Sequence, residues 1–133
     1  MQLNIETAPV EQLSVDAAPE SGFVGVEEVQ VNRLDDVVSP LWAAPYALKL
    51  DTQGFELHVL RGASETLQKT VLVITELSLA PLYAGGATFL EVYRFLEERG
   101  FHCISIVQGF ADQGRNEVLQ VDGIFVRRKP SQS

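Results

Sequence analysis

Two acidic residues each follow directly on a short apolar segment. Asp51 follows Tyr46–Leu50, and Glu76 follows Val71–Thr75, which is almost entirely β-branched and apolar. Both segments are predicted to be buried strands. Open α/β sheets bind ligands at the carboxyl ends of their strands, so the two carboxylates are expected to face one crevice. There they can accept the proton of a substrate hydroxyl or hold a divalent cation. Alternatively, they cap backbone amides at strand–helix turns.

Three polar residues near Asp51 are further candidates. Glu56 lies in the first turn of the helix predicted after Gly54, where it is either a catalytic residue or an acid that complements the helix dipole. Gln53 either lines the crevice as a catalytic residue or is a simple turn residue. Lys49 lies within a predicted buried strand, so we expect it to pair with a carboxylate, because a buried ammonium alone is costly. Its role is then structural or substrate-binding.

The loop Ser78–Gly86 follows Glu76 and is expected to overhang the same crevice. Tyr83, within this loop, is the second candidate substrate-binding residue. Gly85 and Gly86 permit mobility, so the segment is either a substrate lid or a plain connecting loop.

The elements that must position these residues alternate between strands and helices. The predicted order is a strand (Tyr46–Leu50), a helix with apolar residues from Phe55 to Leu67 that is weakened at Gly62, a strand (Val71–Thr75), a helix from the capping box Thr88–Glu91 to Arg99, and strands His102–Val107 and Val118–Arg128. This order predicts an α/β fold with parallel strands and a final antiparallel strand, joined by a hairpin at the sheet end. Leu3–Glu6 and Val24–Val31 are predicted as additional strands.

Composition narrows the class of protein. The 133 residues carry a net charge of −8 and are 46% hydrophobic, which indicates one globular domain. The acidic charge disfavours nucleic acid and anionic membranes as partners. The single Cys103 excludes an intramolecular disulfide, and Zn-type ligand spacing is absent. Since Met1–Ser14 is not a signal peptide and no apolar run approaches about 20 residues, we expect a cytoplasmic protein.

Four short sequence motifs occur in order and at close spacing. They are Leu34–Asp36 (LDD), Lys49–Glu56 (KLDTQGFE), Val59–Ala63 (VLRGA) and Ile74–Glu76 (ITE), and the stretch FLEERGF follows at Phe95–Phe101. Together they resemble the FkbM-type methyltransferases over roughly residues 24–128. The resemblance implies the C-terminal half of a Rossmann-like class I methyltransferase sheet and methyl transfer from S-adenosylmethionine to a hydroxyl. It places Asp51 beside the transferred methyl group and Glu76 near the acceptor.

The sequence departs from this family at its start. Family members begin with a strand and a D-x-G-A-N-x-G loop, and an acidic residue after the second strand binds the ribose of S-adenosylmethionine. Neither is present, and no strand–loop–helix unit surrounds Gly22 or Gly25. Close approach of backbone to the donor requires such a loop. The chain is therefore expected to be a truncated domain that is inactive alone, and its cofactor-binding residues are unknown.

The sequence predicts an extended segment (1–23), a partial methyltransferase-like domain (24–128) and a tail (129–133). Three functions remain open for this chain. The first is the substrate-side half of an O-methyltransferase. The second is a non-catalytic module that forms a homodimer or binds a complementing chain through the open edge of Tyr46–Leu50, unless residues 1–32 fold back over that edge. The third is a protein that binds a small ligand or metal in the carboxylate crevice.

Overall fold

The structure, a computed structural model, describes residues 28–128 of the chain. The predicted strand Leu3–Glu6 and the segments 1–23 and 129–133 lie outside these residues. Of the predicted strand Val24–Val31, residues 28–31 are described, and they form no strand and are exposed. Strand backbone requires a hydrogen-bonded neighbour, and no strand between residues 28 and 128 pairs with these four residues.

Four short helices and six strands make up the described fold. In chain order they are α1 (Leu34–Val37), β1 (Tyr46–Leu50), α2 (Glu56–Arg61), α3 (Ser64–Gln68), β2 (Thr70–Ser78), α4 (Phe89–Glu97), β3 (Phe101–Gln108), β4 (Ala111–Asp112), β5 (Glu117–Val118) and β6 (Gln120–Arg127). The alternation of strands and helices predicted from the sequence is thereby confirmed, and the chain has a mixed α/β fold.

Four of these strands form one sheet in the order β1-β2-β6-β3, and β4 and β5 form a separate two-stranded ribbon. β1 and β2 are parallel, whereas β6 is antiparallel to both β2 and β3. The predicted antiparallel final strand is confirmed. The predicted hairpin at the sheet end is also confirmed: β3 and β6 form it, with β6 between β2 and β3 and with β3 at the edge of the described sheet.

The helical segment after β1 breaks in two, as its central glycine predicts. α2 ends at Arg61 and α3 begins at Ser64, with Gly62 between them. The carbonyl of Gly62 accepts a hydrogen bond from the amide of Asp35. The Asp35 carboxylate in turn accepts hydrogen bonds from the amides of Glu65 and Thr66 at the start of α3. These contacts fasten α1 to α3.

α4 begins where its local signal predicts and ends at Glu97, two residues before the predicted Arg99. Thr88 accepts a hydrogen bond from the amide of Glu91, whose carboxylate accepts one from the amide of Thr88, so the capping box is complete. Gly100, with φ of +82°, follows the helix in the left-handed conformation. Val92 and Leu96 bury one side of α4 in the core.

The core lies between the helices and one face of the sheet. Val73 and Leu77 of β2 and Phe125 of β6 point into it, together with leucines of α2, α3 and α4. Alternate residues of the same strands, such as Ile74 and its partner Ile124, point to the other face and are only half-buried. None of the helices in residues 28–128 has the length and apolarity needed to cross a membrane.

Candidate functional site

The turn after β1 is organised by a buried carboxylate. Glu56 is 3% exposed, and its two oxygens accept hydrogen bonds from the amides of Thr52 (3.0 Å) and Gly54 (3.0 and 3.3 Å). Gln53 and Gly54 both have positive φ, of 51° and 99°. Because Glu56 accepts from two amides of the turn that precedes α2, its observed role is to hold this turn, which directly follows Asp51.

Asp51 and Glu76 lie on adjacent strands at neighbouring register positions. Leu50, the last residue of β1, pairs with Thr75, so Asp51 directly follows β1 beside Glu76, the next residue of β2. The structure therefore brings together the two carboxylates that the sequence singled out. The sequence predicts that the strand ends at Glu76. In the structure Glu76 lies within β2, because β2 continues to pair with β6 as far as Ser78.

The environment of Glu76 opposes its ionisation. Burial is the largest cause, followed by the charges of Asp51, Glu56 and Asp122, and the pKa of Glu76 rises to about 7 from an ordinary value of 4.5. Asp51 is also within hydrogen-bonding reach, which favours the protonated form of Glu76. The Oε2 atom of Glu76 is buried and has no hydrogen-bond partner within the described residues. Glu76 is thus an acid poised to exchange a proton near neutral pH.

Tyr83 closes the site from the loop that follows β2. Its side chain packs so closely on the turn after β1 that a Cβ at Gly54 would lie 2.8 Å from the Cβ of Tyr83. Burial raises the pKa of the Tyr83 phenol, and the negative charge of Glu76 raises it further. The phenol is therefore neutral near pH 7 and can donate a hydrogen bond.

β6 adds two polar residues that the sequence analysis missed. Asp122 pairs with Glu76 across the strands, and Gln120 pairs with Ser78. The Gln120 side chain is 7% exposed and lies within hydrogen-bonding reach of Tyr83, yet its Nε2 atom has no partner within residues 28–128. Both residues could have been found from the sequence, because they are two positions apart in a predicted strand and therefore lie on the same face of the sheet.

Lys49 is outside this group. We expected a buried lysine paired with a carboxylate, but its side chain is exposed and forms no salt bridge within the described part of the chain. The physical reason is the place of β1 at the edge of the described sheet, where alternate residues face solvent. Gln53 is also exposed, and its left-handed conformation suits a turn residue.

The residues described do not provide a metal centre or a donor site. Between residues 28 and 128, no group of three or more His, Cys, Asp or Glu side chains is arranged to hold a metal ion, so a divalent cation at Asp51 and Glu76 gains no support. The strand–turn–helix unit from β1 to α2 does not fit S-adenosylmethionine either. Its turn amides are already bonded to Glu56, whose negative charge would repel the donor carboxylate.

A cavity of about 530 Å³ lies between the loop after β2 and the start of α4. Its lining comes from Ser78 to Tyr83 and from Gly86 to Leu90, and it is mostly apolar. Tyr83 separates this cavity from Glu76 and Gln120. The volume lies within the range of small-molecule sites in proteins.

Comparison with known proteins agrees with the family resemblance of the four sequence motifs. No curated protein and no solved structure matches the chain. The family model of the methyltransferase FkbM domain matches residues 4–103 of the 133 residues. The matched segment includes β1, β2 and α4, and therefore Asp51, Glu76 and Tyr83, but ends before β6. Since the match spans well over half of its length, the chain belongs to the FkbM methyltransferase domain family.

Proposed function

We propose that residues 28–128 form the acceptor side of an O-methyltransferase that depends on S-adenosylmethionine, with Glu76 as the residue that receives the acceptor's proton. The observation that carries this proposal is the buried, unpartnered Oε2 of Glu76 beside Asp51. A carboxylate with a pKa of about 7 is half ionised at neutral pH and remains basic enough to accept a proton from a hydroxyl as that hydroxyl reacts.

The neighbouring residues have separable roles in this proposal. Asp51 raises the proton affinity of Glu76 and lies exposed at the crevice, where it can contact the acceptor. Glu56 positions the turn that carries Asp51, so its role is structural. Tyr83 donates a hydrogen bond to the acceptor. Gln53 remains a candidate only for contact with the acceptor, and Lys49 has no role in the site.

The strand–turn–helix unit from β1 to α2 does not fit the methyl donor, so we propose that other residues of this chain, or a complementing protein, hold it. The strand directions support the proposal that the described sheet corresponds to half of a class I methyltransferase sheet. β1, β2 and β3 all run in one direction, and β6 runs against them between β2 and β3. The sheet is open beyond β1 within the described residues, which leaves an edge where a donor-binding half can join.

Methyl transfer from labelled S-adenosylmethionine to a panel of hydroxylated compounds tests the proposal. The full chain is assayed alone and with the donor-binding half of another FkbM-type protein. We expect Asp51→Asn and Glu76→Gln to lower kcat by about 10²- to 10⁴-fold. Donor affinity, measured by calorimetry, should be unchanged. Glu117→Gln, at an exposed position of β5, is the control. Full activity in either site variant, or no transfer in any combination, would overturn the enzymatic proposal.

A second candidate is a non-catalytic module that forms a homodimer through β1. The observation that favours it is the edge position of β1 in the described sheet, with Ala47 exposed. Edge strands with unpaired backbone groups pair readily with another chain. The net charge of −8 supports a protein partner over nucleic acid or an anionic membrane.

Analytical ultracentrifugation tests this second candidate. We expect a dimer that Ala47→Glu converts to a monomer, because a charge on the edge strand opposes pairing. Ala84→Glu, in the exposed part of the loop after β2, should leave the dimer intact. A monomer at every concentration would exclude this candidate.

A further inference from the structure

We infer that the cavity between the loop after β2 and the start of α4 is a binding site for a small, uncharged, apolar molecule. Tyr83 separates this cavity from Glu76 and Gln120, so it is a second site beside the carboxylates. The inference therefore goes beyond the proposed function and does not depend on it. Three properties of the cavity support it, namely uncharged walls, exposed apolar surface of suitable volume, and walls that are fixed in place.

The walls of the cavity carry no charge. The segment Ser78–Leu90 contains the whole lining and has no Asp, Glu, Lys, Arg or His, although 21% of the chain is charged. A charged ligand would lose hydration on entering the cavity and gain no ionic partner from the lining. The cavity therefore suits an uncharged ligand.

The principal hydroxyl groups of the lining already have partners outside it. Thr88 Oγ1 donates a hydrogen bond to the carboxylate of Glu91 (3.0 Å) and accepts one from the amide of Glu91 (3.4 Å). The phenol of Tyr83 lies within hydrogen-bonding reach of Gln120, which is not part of the lining. Neither hydroxyl is left to select a polar ligand, so apolar contact is the main source of affinity.

The apolar surface of the cavity is exposed and concave. Leu79 in one wall is 51% exposed and Leu90 in the other is 56% exposed. Covering such surface with a ligand is favourable, at about 25 cal/mol per Å². The volume of about 530 Å³ is that of a typical small-molecule site, so the occupant is a small molecule such as an aromatic ring system or an alkyl chain.

Both walls are fixed by contacts with the rest of the fold. Leu82 is 2% exposed and anchors the loop in the interior. The amide of Leu79 donates to the carbonyl of Leu119, just before β6, at 2.8 Å, and the amide of Ala87 donates to the carbonyl of Gly54 at 3.4 Å. The capping box fixes the start of α4. A cavity that is already formed loses little entropy when a ligand binds, which favours affinity.

Two fluorescent probes that differ in charge alone test the inference on the full chain without methyl donor. N-phenyl-1-naphthylamine is neutral, and 8-anilino-1-naphthalenesulfonate has the same rings with a sulfonate added. We expect the neutral probe to bind about tenfold or more tightly than the sulfonate, which would lose hydration without a cationic partner. Titration in about 0.5 M salt screens the repulsion between the sulfonate and the net charge of −8.

Two pairs of variants place the probe on the protein. Leu90→Glu should weaken binding of the neutral probe about fivefold or more, because it puts a charge in the wall. Leu41→Glu, at a leucine that is 92% exposed and outside the lining, should not. Ala80→Phe should weaken binding by filling the cavity, whereas Ala84→Phe, also outside the lining, should retain it. Circular dichroism checks that each variant is folded, and Leu90 is exposed enough to accept the change without unfolding.

The results that would overturn the inference are distinct. Failure of the neutral probe to bind, or equal affinity for both probes in high salt, would refute the assigned ligand class. Unchanged affinity in Leu90→Glu or in Ala80→Phe would place the probe elsewhere on the protein. Affinity that falls as the protein concentration rises would show that a second copy covers the cavity. The methyl-transfer assay uses other residues and a donor, so the proposed function and this inference fail separately.

Discussion

The raised pKa of Glu76 makes the stability of the fold depend on pH in a defined direction. The folded state holds the Glu76 proton up to a pKa of about 7, whereas the unfolded chain releases it near 4.5. Between these values the folded state binds more protons, so the free energy of unfolding falls as pH rises. Above about pH 7 the ionised carboxylate lies partly buried beside Asp51, and the loss of stability is complete. Glu76→Gln removes this ionisation.

The size of the effect follows from the pKa. A rise from 4.5 to about 7 sets an upper limit of about 3 kcal/mol, at 1.36 kcal/mol per pH unit. Asp51, one source of the unfavourable charge, is exposed, and solvent screens its interaction with Glu76. We therefore expect about half of the limit, or roughly 1.5 kcal/mol. Between pH 5 and pH 8.5, the free energy of unfolding of Glu76→Gln should therefore rise by this amount relative to that of the wild type.

Urea unfolding followed by circular dichroism at pH 5, 6, 7 and 8.5 measures the effect. Glu117→Gln, at an exposed position, serves as the control and should show no such gain. Because other groups also titrate in this range, the informative quantity is the difference between variant and wild type at each pH. A difference that stays constant from pH 5 to pH 8.5 would refute the assignment of a near-neutral pKa to Glu76.

Three further substitutions test the supports of the site by urea unfolding. Asp35→Ala should destabilise the fold by about 1 kcal/mol or more, because it removes a carboxylate that accepts from two amides and a hydroxyl of α3; Asp36→Ala, whose ion pair is on the surface, should have no measurable effect. Gly54→Ala should cost about 2 kcal/mol or more, because Gly54 has a positive φ and an added Cβ would collide with Tyr83. Gly85 also has a positive φ, but its Cβ would meet no neighbour within 4 Å, so Gly85→Ala should cost only about 1 kcal/mol. Thr88→Ala should cost about 1 kcal/mol through loss of the α4 capping box, and Thr88→Ser should not. Equal losses within any of these pairs would contradict the contact assigned to it.

Short-range signals located most of the secondary structure. The capping box at Thr88 and the glycine at 100 bound α4, and Gly62 divides the preceding helical segment, because each acts on backbone within a few residues. The apolar run Val71–Thr75 is long and β-branched enough to indicate β2. The sequence alone therefore predicts the order of the elements, the antiparallel last strand and the family.

Residues distant in the chain set the chemistry of the site. The proximity of Asp51 and Glu76 depends on the register of β1 and β2. Glu76 becomes partly buried, and its Oε2 atom fully so, where β6, some 45 positions later, pairs with its strand. The Gln120 side chain is buried, with no partner for its Nε2 atom among the described residues, because that strand inserts between β2 and β3. Lys49 looks buried from its apolar neighbours, yet it is exposed at the sheet edge. Asp51 and Glu76 were visible as candidates because acids follow apolar runs, but a pKa depends on burial and on charges that only the packed sheet brings together.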